Sequence, residues 1–454
     1  MTEAIRQLLD NLWAALGGDP NRTGSVRVRG AGSLPSTFAV TELATASIGV
    51  AALAAAEIAH DGRPASVAVD RALASHWCGM SIHPEGWDIA SPWDDLAGDY
   101  PTADGWIRLH TNAPHHRVAA LAALDCDADR AVVARTVTSW AATALETAVV
   151  DGGGAAAAMR SVDEWRSHPQ GRAVAAEPLV AWGDTSRVGS EPARPRSPER
   201  FLAGVRVLDL TRVLAGPVAT RFLAGLGATV LRIDPPGWDE PAVVPDVTLG
   251  KRCARLDLTV AADVEQFVAL LASTDILIHG YRPGALDHLG FDPATLHDLR
   301  PGLIDVSLDA YGWSGPWAGR RGFDSLVQMS TGIADAGRRA AGADRPTPLP
   351  VQALDHATGY LMAAAALRGL ARRRHEQTGV TGRVSLARTA LALIDAGPAA
   401  TSSDPLDPPT YASAVESTPW GPARRLAPPF AIDGVHIGWD LPATNLGSSP
   451  AHWW

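Results

Sequence analysis

The stretch GVRVLDLTRVLAGPVATRFLAGLGATVLRIDPPG, residues 204–237, decides the fold of this chain. It opens with a β-branched and apolar run at 205–210, which a glycine-proline turn separates from a helical pattern at 217–226. A tight glycine turn and a second apolar run at 229–233 follow. Two strands that flank one helix form a βαβ unit, and such strands lie parallel in one sheet. The stretch therefore predicts a parallel, doubly wound α/β sheet.

The same alternation continues downstream and predicts a Rossmann-like large domain over residues 201–400. Further strands are predicted at 276–279 and 303–308, and a helix near 260–272 precedes the first of them. Dinucleotide-binding domains have a similar outline. However, the turn TRVLAGP lacks the GxGxxG glycines that let backbone approach a pyrophosphate, so an NAD-dependent oxidoreductase is not expected.

Stretches rich in Ser, Pro and charged residues separate the large domain from the rest of the chain. Residues 1–190 predict a helical region with a smaller α+β domain, and residues 191–200 predict a linker rich in Ser, Pro and charge. Residues 401–425 predict a second Pro- and Ser-rich connection, which a C-terminal return segment at 426–454 follows.

Within the first region, helices are predicted at 41–59 and 114–124, and a strand pair near DYPTADGWIRLHT with Asp-Gly as its turn. The run GGGAAAAMR lacks the GxxxxGK[ST] pattern of a phosphate loop, so a loop followed by an alanine helix is predicted.

Charge and cysteine content bound the partners. The net charge of −10 argues against nucleic acid and anionic membranes as partners. The three cysteines form no CxxC pair, so neither a metal site nor a disulfide framework is expected, and a cytoplasmic location is predicted. The apolar stretch at 44–58 is shorter than the roughly 20 residues that span a bilayer and carries Glu57, so it predicts a buried helix.

Five further segments resemble those of one known protein family. They are GKRCARLDL (250–258), DILIHGYRPGALDHLGFDPATLHDLRPGLIDVSLDAYGWSGP (275–316), RGFDSLVQMSTG (321–332), VQALDHATGYLMAAAAL (351–367) and TGVTGRVSLARTAL (378–391). Together with residues 204–237, they resemble the family III CoA-transferases, the group that contains formyl-CoA and carnitine-related transferases, in the order typical of that family. The final stretch, APPFAIDGVHIGWDLPATNLGSSPAHW, resembles the family's return strand into the large domain.

The resemblance implies a CoA-transferase that moves CoA between an acyl-CoA and a free carboxylic acid, with no permanently bound cofactor. It implies that Asp355 is the nucleophile, which forms an anhydride and then a thioester. It implies a homodimer. It also implies a CoA site, built from a channel segment and basic side chains: Val213, Leu214, Ala215, Arg232, Lys251, Arg252 and Arg282.

The order of segments departs from the family in the first half of the chain. DYPTADGWIRLHTNAPHH and DEWRSHPQGRAVAAEPLV resemble pieces of the family's small domain, which normally follows the catalytic region. Residues 41–58 also resemble residues 354–371, and this pairing aligns Glu42 with Asp355. Because Glu42 lacks the glycine that follows the aspartate, we expect it to be structural.

Three alternatives remain open on sequence alone. Asp355 could act only as the N-cap of a helix, a common position for Asp. An α-methylacyl-CoA racemase would share the fold, but it needs a second acid/base where this chain has Phe323, although His356 lies beside Asp355. A non-catalytic CoA-binding subunit would fit the unusual order of segments.

Overall fold

The computed structural model describes residues 1–187, 199–399 and 404–454. Most of the predicted linker at 191–200 lies outside these ranges. The strands in the described ranges are β1 (Val26–Arg29), β2 (Val67–Asp70), β3 (Ile82–Pro84), β4 (Gly98–Pro101), β5 (Trp106–Leu109), β6 (Ala156–Ala158), β7 (Ala181–Arg187), β8 (Arg206–Leu210), β9 (Thr229–Asp234), β10 (Lys251–Arg255), β11 (Ile276–His279), β12 (Ile304–Asp309), β13 (Thr378–Ser385), β14 (Tyr411–Thr418), β15 (Gly421–Leu426) and β16 (Phe430–Ile432).

The helices in the same ranges cover both halves of the chain. They are α1 (Glu3–Ala15), α2 (Val40–Ala59), α3 (Arg71–Trp77), α4 (Pro114–Leu124), α5 (Arg130–Val137), α6 (Ala142–Asp151), α7 (Val162–Ser167), α8 (Pro169–Ala176), α9 (Ala215–Gly225), α10 (Val244–Val247), α11 (Ala261–Leu271), α12 (Pro293–Leu299), α13 (Asp324–Ser330), α14 (Ile333–Ala341), α15 (Ala353–Glu376) and α16 (Leu386–Asp395). Two 3₁₀ turns span Pro20–Ser25 and Asp287–Leu289.

The largest sheet in the described ranges confirms the predicted fold class. Its strand order is β10-β9-β8-β11-β12-β13-β7, and every pair is parallel except β13 with β7. Numbered along the large domain, β8 to β13 take the order 3-2-1-4-5-6, which is the doubly wound order of the Rossmann fold. The strand order reverses between the parallel neighbours β8 and β11, and the cleft at their carboxyl ends is where ligands bind in such sheets.

Alternate side chains along the strands bury opposite faces of this sheet. Val207 and Ile278 belong to the core that α9, α15 and α2 cover, whereas Leu208 and Leu277 belong to the core that α11 and α12 cover. The expected strands and helices of the large domain are therefore present, with ends that differ by at most two residues.

The helix α2 is long and apolar enough to cross a membrane by length and composition. Nevertheless, 89% of its most apolar window is buried inside the protein, where it packs against α15, α1 and α3. The prediction of a buried helix at 44–58 is confirmed.

The smaller α+β part of the first half contains the antiparallel sheet β4-β5-β6. It has its own core, to which Tyr100, Leu109, Leu124 and Leu145 contribute. The predicted β4–β5 pair is present. The predicted alanine helix after the glycines is wrong, because Ala156–Ala158 form the edge strand β6 beside β5. Tertiary pairing overrides the high helix propensity of alanine there.

The C-terminal residues cross between the halves of the chain. The predicted connection at 401–425 contains most of the hairpin β14–β15, which pairs with β3 of the first half. The return segment forms β16, which pairs with β2 rather than with the large sheet. It also contacts the large domain, where the backbone N–H of Ser449 donates to the carbonyl of Cys253 in β10. The indole N–H groups of Trp439 and Trp453 donate to carbonyls of α9 and α11.

Candidate active site

A pocket of about 240 Å³ opens at the point where the strand order reverses. The residues that follow β8, β11 and β12 line it, together with the beginning of α9 and the first turn of α15. The first half of the chain contributes the beginning of α4. This is the position at which open α/β sheets bind ligands, because loops from neighbouring parallel strands diverge there.

Asp355 lines this pocket from the third residue of α15. Its side chain is buried, with 7% of its surface exposed. The helix begins at Ala353 after Gln352, so Asp355 is not the N-cap residue. Its backbone N–H donates to Oδ2 of Asp324 over 2.9 Å. The site therefore holds one carboxyl group facing the pocket and a second directly behind it.

The two carboxyl groups affect each other's protonation. Burial, and then the negative charge of Asp324, raise the pKa of Asp355 well above its ordinary value. Burial raises the pKa of Asp324 to about 6, although hydrogen bonds from Gln328 and from the backbone N–H groups of Asp355 and Leu354 oppose that rise. A low-dielectric site disfavours two adjacent negative charges, so ionisation of one of these carboxyl groups makes ionisation of the other less favourable.

The first half of the chain adds histidines to the pocket. His115 and His116 line it from the first turn of α4. His110 stacks flat on Phe323, with ring centroids 3.7 Å apart, and the ring of His116 lies edge-on to Phe323 at 5.7 Å. Phe323, the position at which the sequence argues against a racemase, therefore has imidazoles beside it. The segment HTNAPHH was the only sequence signal, and it lies more than 200 residues from Asp355.

The channel segment is held in a strained backbone conformation. Val213 has φ of +64°, a region that β-branched residues rarely adopt. Its N–H donates to Oε2 of Glu240 over 2.9 Å. Leu214 and Ala215 follow it into α9, and all three residues line the pocket. Strained backbone of this kind occurs where the surrounding structure fixes a functional loop.

Three arginines at the pocket have no carboxylate partner within the described ranges. They are Arg212, Arg282 and Arg321. The guanidinium of Arg212 lies 4.9 Å over the ring of Trp238, and Arg282 donates to the carbonyl of Gly319. Burial, and then the like charge of Arg282, lower the pKa of Arg321. Clustered cations without counter-charges favour an anionic ligand.

Comparison with known proteins identifies the region that carries this pocket. Residues 202–419 match the family model described as CoA-transferase family III. This range includes β8 to β13, Asp355 and the three unpaired arginines, and the resemblance seen in the sequence is confirmed.

Individual relatives that match this region carry transferase names. An acetyl-coenzyme A transferase of Hypoxylon pulicicidum is 34% identical over 202 residues, which cover 43% of this chain and 33% of that protein. A probable fatty acyl-CoA transferase of Mycobacterium tuberculosis is 32% identical over 212 residues, which cover 44% of this chain and 51% of that protein. The chain thus spans between a third and about half the length of these relatives. A crystal structure of the M. tuberculosis protein is 31% identical, with a TM-score of 0.40, and the match covers 43% of this chain and 58% of that one.

The family III resemblance named three cations that the structure places outside the pocket. Lys251 donates to Oδ2 of Asp209 over 2.9 Å, and both side chains are fully buried. Arg232 is also fully buried and pairs with Asp234 and with Glu240, the residue that holds Val213. Neither cation can reach a phosphate in the pocket without breaking these ion pairs. We therefore replace their predicted phosphate contacts with structural roles.

Arg252 is the third of these cations. Its guanidinium lies 4.2 Å over the ring of Trp454, and the residue does not line the pocket. Of the predicted CoA site, the structure thus brings Val213, Leu214, Ala215 and Arg282 to the same pocket as Asp355. Arg212 and Arg321, which the sequence prediction did not name, also line this pocket.

Glu42 lies away from this pocket. Its side chain is 2% exposed and pairs with Arg71 over 3.0 Å. Its helix, α2, packs along α15. The glycine that distinguishes the two helices, Gly359, lets α15 approach α9, since a Cβ there would lie 2.3 Å from the carbonyl oxygen of Ala215. In the structure this glycine serves the close packing of α15 against α9.

Proposed function

We propose that the protein is a CoA-transferase that moves CoA between an acyl-CoA and a free carboxylic acid, with Asp355 as the nucleophile. The observation that supports this most strongly is the combination of Asp355 and three unpaired arginines in one pocket at the reversal of strand order. CoA carries a pyrophosphate and a ribose phosphate, so it needs cations, and its thioester needs a nucleophile beyond them.

The proposed reaction needs no cofactor and no net proton transfer. An oxygen of the Asp355 carboxylate attacks the thioester carbon, the C–S bond breaks, and the CoA thiolate leaves behind a mixed anhydride. The thiolate then attacks the aspartyl carbon of the anhydride, which releases the first acid as its carboxylate. An incoming carboxylate attacks the resulting aspartyl thioester, and the thiolate finally attacks the new acyl carbon. That last step restores Asp355 and yields the second acyl-CoA.

The direct test offers dialysed enzyme a panel of acyl-CoA donors and free acids without added nicotinamide. Mass spectrometry then reports which new acyl-CoA forms. CoA exchange between at least one pair supports the proposal. Binding of CoA without exchange across the panel would favour the non-catalytic subunit.

The unpaired arginines predict where CoA binds. We expect Arg282→Ala and Arg321→Ala each to weaken CoA binding about 10-fold or more, because each removes a charge-assisted hydrogen bond to phosphate. The loss should shrink as salt is raised, since exposed charges are screened. Isothermal calorimetry measures the affinity, and Arg252→Ala is the matched control because its side chain lies outside the pocket. A larger loss in Arg252→Ala than in the other two would contradict this site.

The carboxyl pair predicts how activity depends on pH. Only the carboxylate form of Asp355 is nucleophilic, and its pKa is raised, so kcat/KM should fall on the acid side at a pH well above the ordinary Asp value. Asp324→Asn removes the neighbouring negative charge. It should lower the pKa of Asp355 and move the acid limb to lower pH. The control is Asp309→Asn, because burial raises the pKa of that pocket carboxyl to about 7. If the acid limb moved only in Asp309→Asn, it would report the protonation of Asp309, and the assignment to Asp355 would be wrong.

One observation favours a second candidate, a racemase-like enzyme. His115 and His116 supply imidazoles on the same pocket as Asp355, which a two-base proton exchange would need. The discriminating measurement is deuterium uptake from D₂O at the α-carbon of a 2-methylacyl-CoA. Uptake without CoA exchange would favour the racemase-like reaction.

The homodimer that the resemblance implies remains a proposal. The pocket draws its lining from both halves of one chain, so a second copy is not required to close the part of the site described above.

A further inference from the structure

His116 is a buried imidazole that no described residue satisfies. It is the third residue of α4, its side chain is 4% exposed, and it lines the pocket that contains Asp355. Within the described ranges neither ring nitrogen has a hydrogen-bond partner. Buried polar atoms are nearly always paired, so an unpaired imidazole on a pocket wall points to a ligand group as its partner.

The surroundings of His116 determine its charge state. Burial, and then the positive charges of His115, Arg321 and Arg282, lower its pKa to about 4. The first turn of a helix also disfavours a cation, because the helix dipole is positive at that end. The ring is therefore neutral at pH 7, with one N–H donor and one acceptor nitrogen.

Resting on the proposed CoA transfer, we propose that His116 is a further catalytic residue, which donates an N–H hydrogen bond to the thioester carbonyl oxygen while Asp355 attacks. Negative charge develops on that oxygen as the Asp355 oxygen bonds to the thioester carbon. It disappears when the C–S bond breaks, the thiolate leaves and the anhydride forms. The imidazole donates a hydrogen bond without transferring its proton, so the reaction stays balanced. A fixed neutral donor in a dry site stabilises such an oxyanion without being reorganised during the reaction.

Two neighbours hold the ring in place. Phe323 presents its edge to His116 at 5.7 Å, while His110 stacks on the face of Phe323. His115, by contrast, is exposed, although its ring lies only 4.2 Å from that of His116. His116 is therefore the buried member of this pair, and it is the residue to test.

The experiment compares His116→Leu, which removes both nitrogens, with His116→Asn and His116→Gln, which keep an amide N–H at two different reaches. We expect kcat of His116→Leu to fall about 100- to 1,000-fold with little change in the KM for acyl-CoA, the loss typical of removing one oxyanion donor. The better of the two amides should recover at least about 10-fold. His288→Leu, which changes an exposed histidine outside the pocket lining, should stay within about 3-fold of the wild type. A merely structural role would not give an amide-dependent recovery at constant KM.

The outcomes separate this proposal from the transfer reaction on which it rests. If the wild type exchanges CoA but His116→Leu keeps kcat within about 5-fold, or neither amide exceeds Leu, the donor role is overturned and the transferase remains. If His116→Leu loses only deuterium uptake at the α-carbon, His116 is a base and the donor role is again overturned. If the wild type exchanges no CoA with any pair of substrates, the transferase proposal fails, and the donor role fails with it.

Discussion

Asp355→Asn is expected to reduce CoA transfer on the order of 10⁴-fold or more, because a neutral amide cannot attack a thioester and no second nucleophile can replace a covalent step. The substitution keeps the size of the side chain and the N–H contact between residue 355 and Asp324. CoA affinity should therefore stay within about 3-fold of the wild type, since the arginines that we assign to CoA are unchanged. Steady-state transfer assays and calorimetry measure the two quantities on one preparation.

A covalent trap places the nucleophile directly. After incubation with an acyl-CoA, hydroxylamine or borohydride treatment should modify only the peptide that contains Asp355. Glu42→Gln is the matched control, because residues 41–58 resemble residues 354–371 and align Glu42 with Asp355. This variant should transfer CoA normally, since the Glu42 carboxylate is paired with Arg71. Modification of the Glu42 peptide, or near-normal turnover in both Asp355→Asn and Asp355→Ala, would place the chemistry elsewhere.

Lys251→Met is expected to lower the free energy of unfolding by about 3–5 kcal/mol, the usual cost of leaving one partner of a buried ion pair uncompensated. Lys251 is the only lysine in the chain. Its Nζ donates to Oδ2 of Asp209 and to the carbonyl of Pro217 over 2.9 and 3.0 Å, which joins β10, β8 and α9. Burial would raise the pKa of Asp209, but the charges of Lys251 and Arg232 lower it overall, so Asp209 is a carboxylate that needs its partner.

The double variant Lys251→Met/Asp209→Asn provides the control, because removing both charges costs less than removing one. Its unfolding midpoint in urea should lie above that of Lys251→Met. CoA affinity, corrected for the folded fraction, should be unchanged in Lys251→Met. If that variant instead lost affinity at an unchanged midpoint, Lys251 would bind phosphate, as the sequence alone had suggested.

The sequence by itself determined the large domain and singled out Asp355 as its candidate nucleophile. The strands β8, β9, β11 and β12 follow from short apolar runs and their turns, because hydrophobic periodicity and turn residues act over a few positions. The family motif around Asp355 is equally local, and so is the βαβ rhythm that predicts a doubly wound sheet. These properties depend on neighbours in the chain, and one sequence is enough to state them.

Tertiary structure alone decided which cations and histidines belong to the site. Lys251 and Arg212 are both basic residues near strand ends. Nothing in their local sequence shows that Asp209 neutralises Lys251, while Arg212 has no carboxylate partner among the described residues. His116 reaches the pocket only because the first half of the chain packs against the large domain, and Ala156–Ala158 form a strand only because β5 lies beside them. Burial and pairing depend on residues that are far apart in the chain, and their positions are defined only once the chain has folded.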